Sequence, residues 1–458
     1  MDQLSITMTP FWEMDTVACF TICCTMSPFS VKEREPVLDF VDQAFGGIVP
    51  FPEICDLYIE DELGEVPFHQ APSETEYTAA SYTGLYPDRK IKGTLRWRYR
   101  ILPRVLPEGY RSSPYYDFRA EPLGLNGSGM FSLILPKHPK PMEVSVHWDM
   151  SHMPGNARAI WSLGEGDLHL TATPFVLRFS LFQVGVMQCV EQGGLGVYWF
   201  SEPYFKAESV ANRLYPIFQY MKEYFQDPDA HFYVFLRRDP FEYSGGGSAC
   251  PYAFISGYSA FGGMDEDRWF NVLIHEMTHT WPGMTDFTVG EGTWFNEGCT
   301  EYYCTMLPYQ GGFLDKEYTV KRINEKIRER YYQNIYRTMS NEEIPAVQWK
   351  DRRAQTVPYG RGFLYLANVE VQLKNAGKGK IADIIKGHNM LNPLTPKDWE
   401  DFLRQRLGES GVREFHDMVS GKLLIPEPDL FGPEFIAVEE EIELDGKKEI
   451  SYHWKVRD

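Results

Sequence analysis

The sequence predicts an α+β protein of several domains, β-rich at the start, mixed in the middle and helical toward the end. Three observations carry this. At roughly 150 residues per domain, 458 residues make about three domains. The hydrophobic pattern repeats every second residue over much of the first 200 positions, then changes to helical spacing near residue 205. Hydrophobic residues at 43% against 24% charged supply a large core and exclude wholesale disorder.

The elements follow in order. Val31, Val37, Phe40, Val41 and Phe45 predict one early helix around 31–45. In 95–101 apolar and basic residues alternate strictly, so Leu95, Trp97, Tyr99 and Ile101 face a core while the arginines face water. Val144, Val146 and Trp148 alternate likewise, as do Leu168 and Leu170, and the runs 131–135, 175–187 and 195–200 read as strands. Pro and Gly clusters punctuate this region, as in a β-sandwich or saddle. Val210, Leu214, Phe218, Met221 and Phe225 then mark a helix that Pro216 should kink. Further helices are expected over 316–335 and 361–375, and from Thr395, an N-cap followed by Pro396. A tail hairpin turns at Asp445-Gly446. The implied divisions are 1–200, 201–310, 311–430 and a tail at 431–458.

Composition narrows the function. The 64 acidic and 45 basic residues give a net charge of −19. Phosphate backbones and anionic membranes both require a basic footprint, so neither nucleic acid nor a membrane surface is an expected partner. No apolar run is long enough to cross a bilayer and no secretory leader is visible, and the eight cysteines are scattered. The expectation is a cytoplasmic protein with reduced thiols.

Chemistry concentrates at 271–304. His275-Glu276-Met277-Thr278-His279 is an HExxH motif. Histidines four apart on a helix project about 40° from each other and can grip one zinc ion. Glu276 follows the first histidine, where it reaches a metal-bound water rather than the metal. The surrounding residues Trp269, Phe270, Val272, Leu273, Ile274 and Met277 are apolar, so the segment reads as buried rather than as a solvated face. With seventeen residues intervening after His279, Glu297 in the segment Trp294-Phe295-Asn296-Glu297-Gly298 supplies a third ligand, leaving one position open. Glu301 lies one helical turn further and could accept a hydrogen bond from the far nitrogen of a ligating histidine.

These residues resemble the gluzincin metallopeptidases. Within that clan the chain is similar to the glycyl aminopeptidase family and, more distantly, to the aminopeptidase and leukotriene-epoxide hydrolase family. The stretch from Trp294 to Tyr303, the segment Tyr359-Gly360-Arg361-Gly362 and the run 415–426 carry the likeness. The resemblance implies a β-sandwich or saddle, a thermolysin-like α+β catalytic domain and a helical domain. It implies one zinc per chain, held by His275, His279 and Glu297, with Glu276 as the catalytic carboxylate. It implies that Tyr359, which alone would read as a core aromatic, donates to the oxyanion of the reaction. Arg361 follows as a candidate anchor for a substrate carboxylate.

Members of the clan set a Gly-rich edge strand beside the metal, with an acidic residue that binds the substrate's amine. Here Gly245, Gly246 and Gly247 keep the close backbone approach, but Ser244 to Tyr252 contains no carboxylate; Glu242 is the nearest substitute. A zinc metallopeptidase is therefore the first expectation, and a zinc hydrolase or lyase acting on a non-peptide small molecule the second. A catalytically silent zinc scaffold is the third, disfavoured by Glu276, which has no structural task. The peptide-binding PDZ module common among the glycyl aminopeptidase relatives is not expected.

Overall fold

The computed structural model describes residues 2–28, 35–44, 49–74, 80–105, 115–138, 140–240, 245–263, 265–282, 285, 292–348, 350–389 and 391–457. It divides into two compact units. The first comprises 1–212 and 231–270, the second 213–230 and 271–458.

The first unit is built of sheets. A seven-stranded sheet runs in the order 168–172, 142–148, 3–13, 16–27, 95–101, 54–61, 64–65. Its alternating strands explain themselves: Leu95, Trp97, Tyr99 and Ile101 are buried and the arginines between them exposed, as the period of two requires. Phe20, Phe118, Trp148, Trp161 and Phe182 pack mostly edge-to-face in its core, the geometry that ring quadrupoles favour. Two smaller sheets follow, one around Arg119–Glu121, Gly124–Ser128 and Leu181–Gly185, the other around Leu38–Ala44 and Ala80–Pro87.

The fourth sheet has the order 188–192, 195–199, 232–239, 253–259, 245–250. Its three inner strands are parallel and both outer pairings antiparallel. The parallel step from Leu195–Trp199 to Phe232–Asp239 is a βαβ crossover through helix Ala207–Phe225, which continues through Pro216. The glycine-rich strand Gly245–Cys250 is paired on one side only among the described residues, so it is an edge.

The second unit is helical. Its principal helices are Thr293–Gln310, Arg352–Ala376 and Pro396–Val419, the last opened by a Thr395–Asp398 capping box. Helix Lys316–Ile323 passes directly into a π-helix, Asn324–Tyr332. The tail is a hairpin, Phe435–Leu444 and Lys447–Val456. Asp445 and Gly446 both take positive φ, at 51° and 73°, as a two-residue turn of this kind requires.

Several expectations are corrected. Residues 38–44 form a strand, not a helix: Leu38 to Val41 are all buried, and a short continuous apolar run carries no period to separate the two. Residues 131–134 form no strand; only Leu135–Pro136 do. The run 175–187 begins as helix Pro174–Arg178, capped by Thr173 with Pro174 first in the helix, before strand Leu181–Gly185. In the acidic run at 439–441, Glu439 and Glu441 are exposed, and the half-buried Glu440 accepts from Arg328 at 2.7 Å. All eight cysteines are free.

Candidate active site: a three-donor centre behind HExxH

The HExxH motif closes helix Glu266–Thr278. Glu266 and Asp267 in its first turn oppose the positive end of the helix dipole. Leu273, Ile274 and Met277 bury one face. The helix ends one residue before His279, which sits in the turn, yet His279 and His275 still share a face: their Nε2 atoms are 3.2 Å apart.

Helix Thr293–Gln310 brings the third donor. It is buried nearly all round, and its polar side chains Asn296, Glu297, Thr300 and Glu301 face partners inside. Glu297 Oε2 lies 3.2 Å from His275 Nε2 and 3.5 Å from His279 Nε2. Zinc at 2.0–2.1 Å in a tetrahedral site would hold its ligand atoms roughly 3.3–3.4 Å apart, and this triangle matches that spacing. Glu297 Oε2 is also buried without any hydrogen-bond partner. A buried carboxylate oxygen without a hydrogen-bond partner, facing two imidazole nitrogens, is the donor set a cation requires. The residues present fit a zinc ion.

The polar surroundings hold these groups in place. Thr300 Oγ1 and Asn296 Oδ1 lie 3.0 and 3.2 Å from His279 Nδ1, leaving Nε2 to face Glu297. His275 Nδ1 lies 3.6 Å from Glu301 Oε2. Burial lowers the basicity of His275, but Cys304, Glu297 and Glu276 together push it up to about 9. Burial would raise the Glu297 carboxyl, and the imidazoles of His279 and His275 overcome it, holding it well below its ordinary range. Burial raises Glu276, only partly opposed by the two histidines.

Tyr359 reaches the site from helix Arg352–Ala376. Its ring stacks on His275 at 6.4 Å between centroids, 13° from parallel. Burial, with Glu297 and Glu276 nearby, drives its hydroxyl well above its ordinary value, so it stays protonated and can donate. Arg361, two residues on, does not reach the site as expected. It is fully buried; its guanidinium donates to Asn341 Oδ1 and to the carbonyls of Arg337 and Met339 at 2.6–2.9 Å. A substrate carboxylate would have to displace all three acceptors, so Arg361 is a structural brace. Gly245, Gly246 and Gly247 lie in the edge strand already described; Glu242 falls outside the described residues.

Four residues around the site escaped the sequence reading. Asn296 and Thr300 stand one residue before and three after Glu297, and that spacing was the available signal. Lys326 and Arg330, both on the π-helix, contact Glu301. No local motif announces them. Among the described residues, two groups of three possible metal donors occur, His275–His279–Glu297 and His275–Glu301–Cys304, and they share His275.

With fold and site in view, the chain is similar in fold to zinc metallopeptidases of the aminopeptidase N kind and to leukotriene A4 hydrolase. The aminopeptidase N family protein of Idiomarina loihiensis superposes with a TM-score of 0.65 at 14% identity, over 95% of this chain and 79% of that one. The M1 zinc metallopeptidase of Deinococcus radiodurans gives 0.53 at 17% identity, over 93% and 94%. Yeast leukotriene A4 hydrolase gives 0.55 at 13% identity, over 93% and 68%. No protein-family model and no curated protein matches the chain by sequence. No described helix is long and apolar enough to cross a membrane.

Proposed function

We propose that this chain is a zinc-dependent hydrolase of the gluzincin type, acting as a metallopeptidase with one zinc per chain. The carrying observation is the triangle of His275, His279 and Glu297 around a buried oxygen without a hydrogen-bond partner. Zinc bound there would polarise a carbonyl and make water a nucleophile at neutral pH. Glu276, raised by burial, takes the proton from the attacking water and returns it to the leaving amine. The Tyr359 hydroxyl donates to the oxygen on which charge develops. The one-sided strand Gly245–Cys250 is the proposed substrate-binding backbone, able to pair with an extended chain. A variant of the Deinococcus enzyme has been solved with a bound tripeptide, which fits a peptide substrate.

One observation favours a second reading. Ser248, Ala249 and Cys250 complete that strand without a carboxylate to hold a substrate's amine. A non-peptide hydrolase or lyase, opening an epoxide, ester or amide, follows if no peptide is turned over.

Metal analysis of the purified chain tests the first step, with about one zinc per chain expected. Glu276→Gln should then lower turnover by ~10²–10⁴ while zinc stays bound. A metal-free, folded chain or a fully active Glu276→Gln variant would reject the reading. Aminoacyl amides and N-blocked peptides, assayed side by side, separate peptidase from small-molecule hydrolase.

A further inference from the structure

We propose that Lys326 is a positioning residue of the zinc site, holding Glu301 against the far nitrogen of His275. This rests on the zinc reading above. Glu301 is 2% exposed and its two oxygens are divided. Oε2 contacts the Lys326 ammonium and lies 3.6 Å from His275 Nδ1. Oε1 accepts from Arg330 Nη1 at 2.7 Å. The carboxylate is thereby pinned at both ends, with one oxygen left against the imidazole. Lysine at 1% exposure is rare unless the charge is paired. Besides Glu301, its ammonium lies 3.5 Å from Cys304 Sγ.

The backbone shows how two cations reach one carboxylate. Asn324–Tyr332 is π-helical over nine residues. Such segments are rare and concentrate at functional sites. A π-turn closes in slightly more than four residues, so positions 326 and 330 fall on one face. The segment is braced from outside. Asn324 exchanges hydrogen bonds with the Trp454 backbone, both at 2.8 Å, and Arg328 grips Glu440 at 2.7 and 3.2 Å. Both partners lie on the tail hairpin.

The consequence falls on His275. Without Lys326 and Arg330, Glu301 would be a buried anion one helical turn from Glu297, free to rotate away from the imidazole. Pinned, it fixes the ring so that Nε2 faces the metal position and Nδ1 keeps its proton. Lys326 itself touches neither metal nor substrate; it acts through Glu301.

The test is zinc affinity, read by chelator competition on the full chain. Lys326→Met should weaken zinc binding about tenfold, the lower end for groups supporting a ligand. Lys326→Arg should restore most of it. The double variant Lys326→Met/Glu301→Gln should be no weaker than Glu301→Gln alone, because the two act as one unit. Unchanged affinity in a folded Lys326→Met chain, or losses that multiply in the double variant, would overturn the proposal. If Lys326→Met does not fold, Arg330→Gln serves instead: a severalfold loss of affinity supports the clamp, and none overturns it. A wild-type chain that takes up no zinc removes the zinc reading and this proposal together. Zinc uptake with Lys326 indifferent removes only the proposal.

Discussion

Gly298 and Gly362 meet backbone to backbone where helix Thr293–Gln310 crosses helix Arg352–Ala376: a Cβ on Gly298 would lie 2.5 Å from Gly362 Cα. From the other side, a Cβ on Gly362 would lie 1.9 Å from Trp294 O. Neither obstacle is a flexible side-chain tip. One residue before Gly298 stands Glu297, and three before Gly362 stands Tyr359, so this contact sets the distance between the Glu297 carboxylate and the Tyr359 phenol.

Gly362→Ala should therefore destabilise the chain by ~1–3 kcal/mol through overpacking. It should also reduce turnover by more than the folded fraction explains, since Tyr359 shifts relative to Glu297. Thermal unfolding and kcat on the same samples check both. Gly155→Ala is the control: nothing lies within 4 Å of its Cβ, and its effect should stay within ~0.5 kcal/mol.

Tyr359→Phe keeps the ring and removes only the hydroxyl. If the hydroxyl donates to developing charge, kcat should fall by ~10²–10³ with KM nearly unchanged. A loss confined to KM would mean that Tyr359 binds the ground state instead.

The correction at Arg361 gives an opposite signature. Replacing it by Met orphans Asn341 Oδ1 and two carbonyls in the interior. The expected cost is roughly 3 kcal/mol in urea unfolding, at ~1–3 kcal/mol per stranded group with partial relaxation. KM of the folded enzyme should not change. A raised KM at full stability would restore the substrate-binding role.

These residues also show what could be read ahead of the structure. That His275, His279 and Glu297 come together was legible, because HExxH places two histidines at helical spacing and the Trp294–Gly298 segment offers a carboxylate soon after. The hairpin was legible because Asp445-Gly446 is a local turn signal. The strand at 38–44 was not, because full burial erases the alternation that marks a strand. Arg361 was misread because a motif shows which residue stands beside Tyr359 but not which way it points. Lys326 was invisible for a related reason. Its meaning depends on Glu301, 25 positions away on another helix, which no local spacing encodes.

Glu121 is buried, and burial pushes its carboxyl up to about 7 despite the nearby Arg119 and Arg237. Asn126 Nδ2 donates to one of its oxygens and the Arg238 backbone N–H to the other at 3.2 Å. Unfolded, the same carboxyl titrates near 4.5. Between these values the folded chain binds the proton that the unfolded chain has lost. Stability contributed at Glu121 is thus full below about pH 4.5 and falls as pH rises toward 7. Glu121→Gln keeps an oxygen to accept from Asn126 and removes the titration. Its Tm measured from pH 5 to 8 should decline less than that of the wild type, with the difference widening toward pH 7 and constant above it. Parallel curves across that range would show that Glu121 ionises alike in both states.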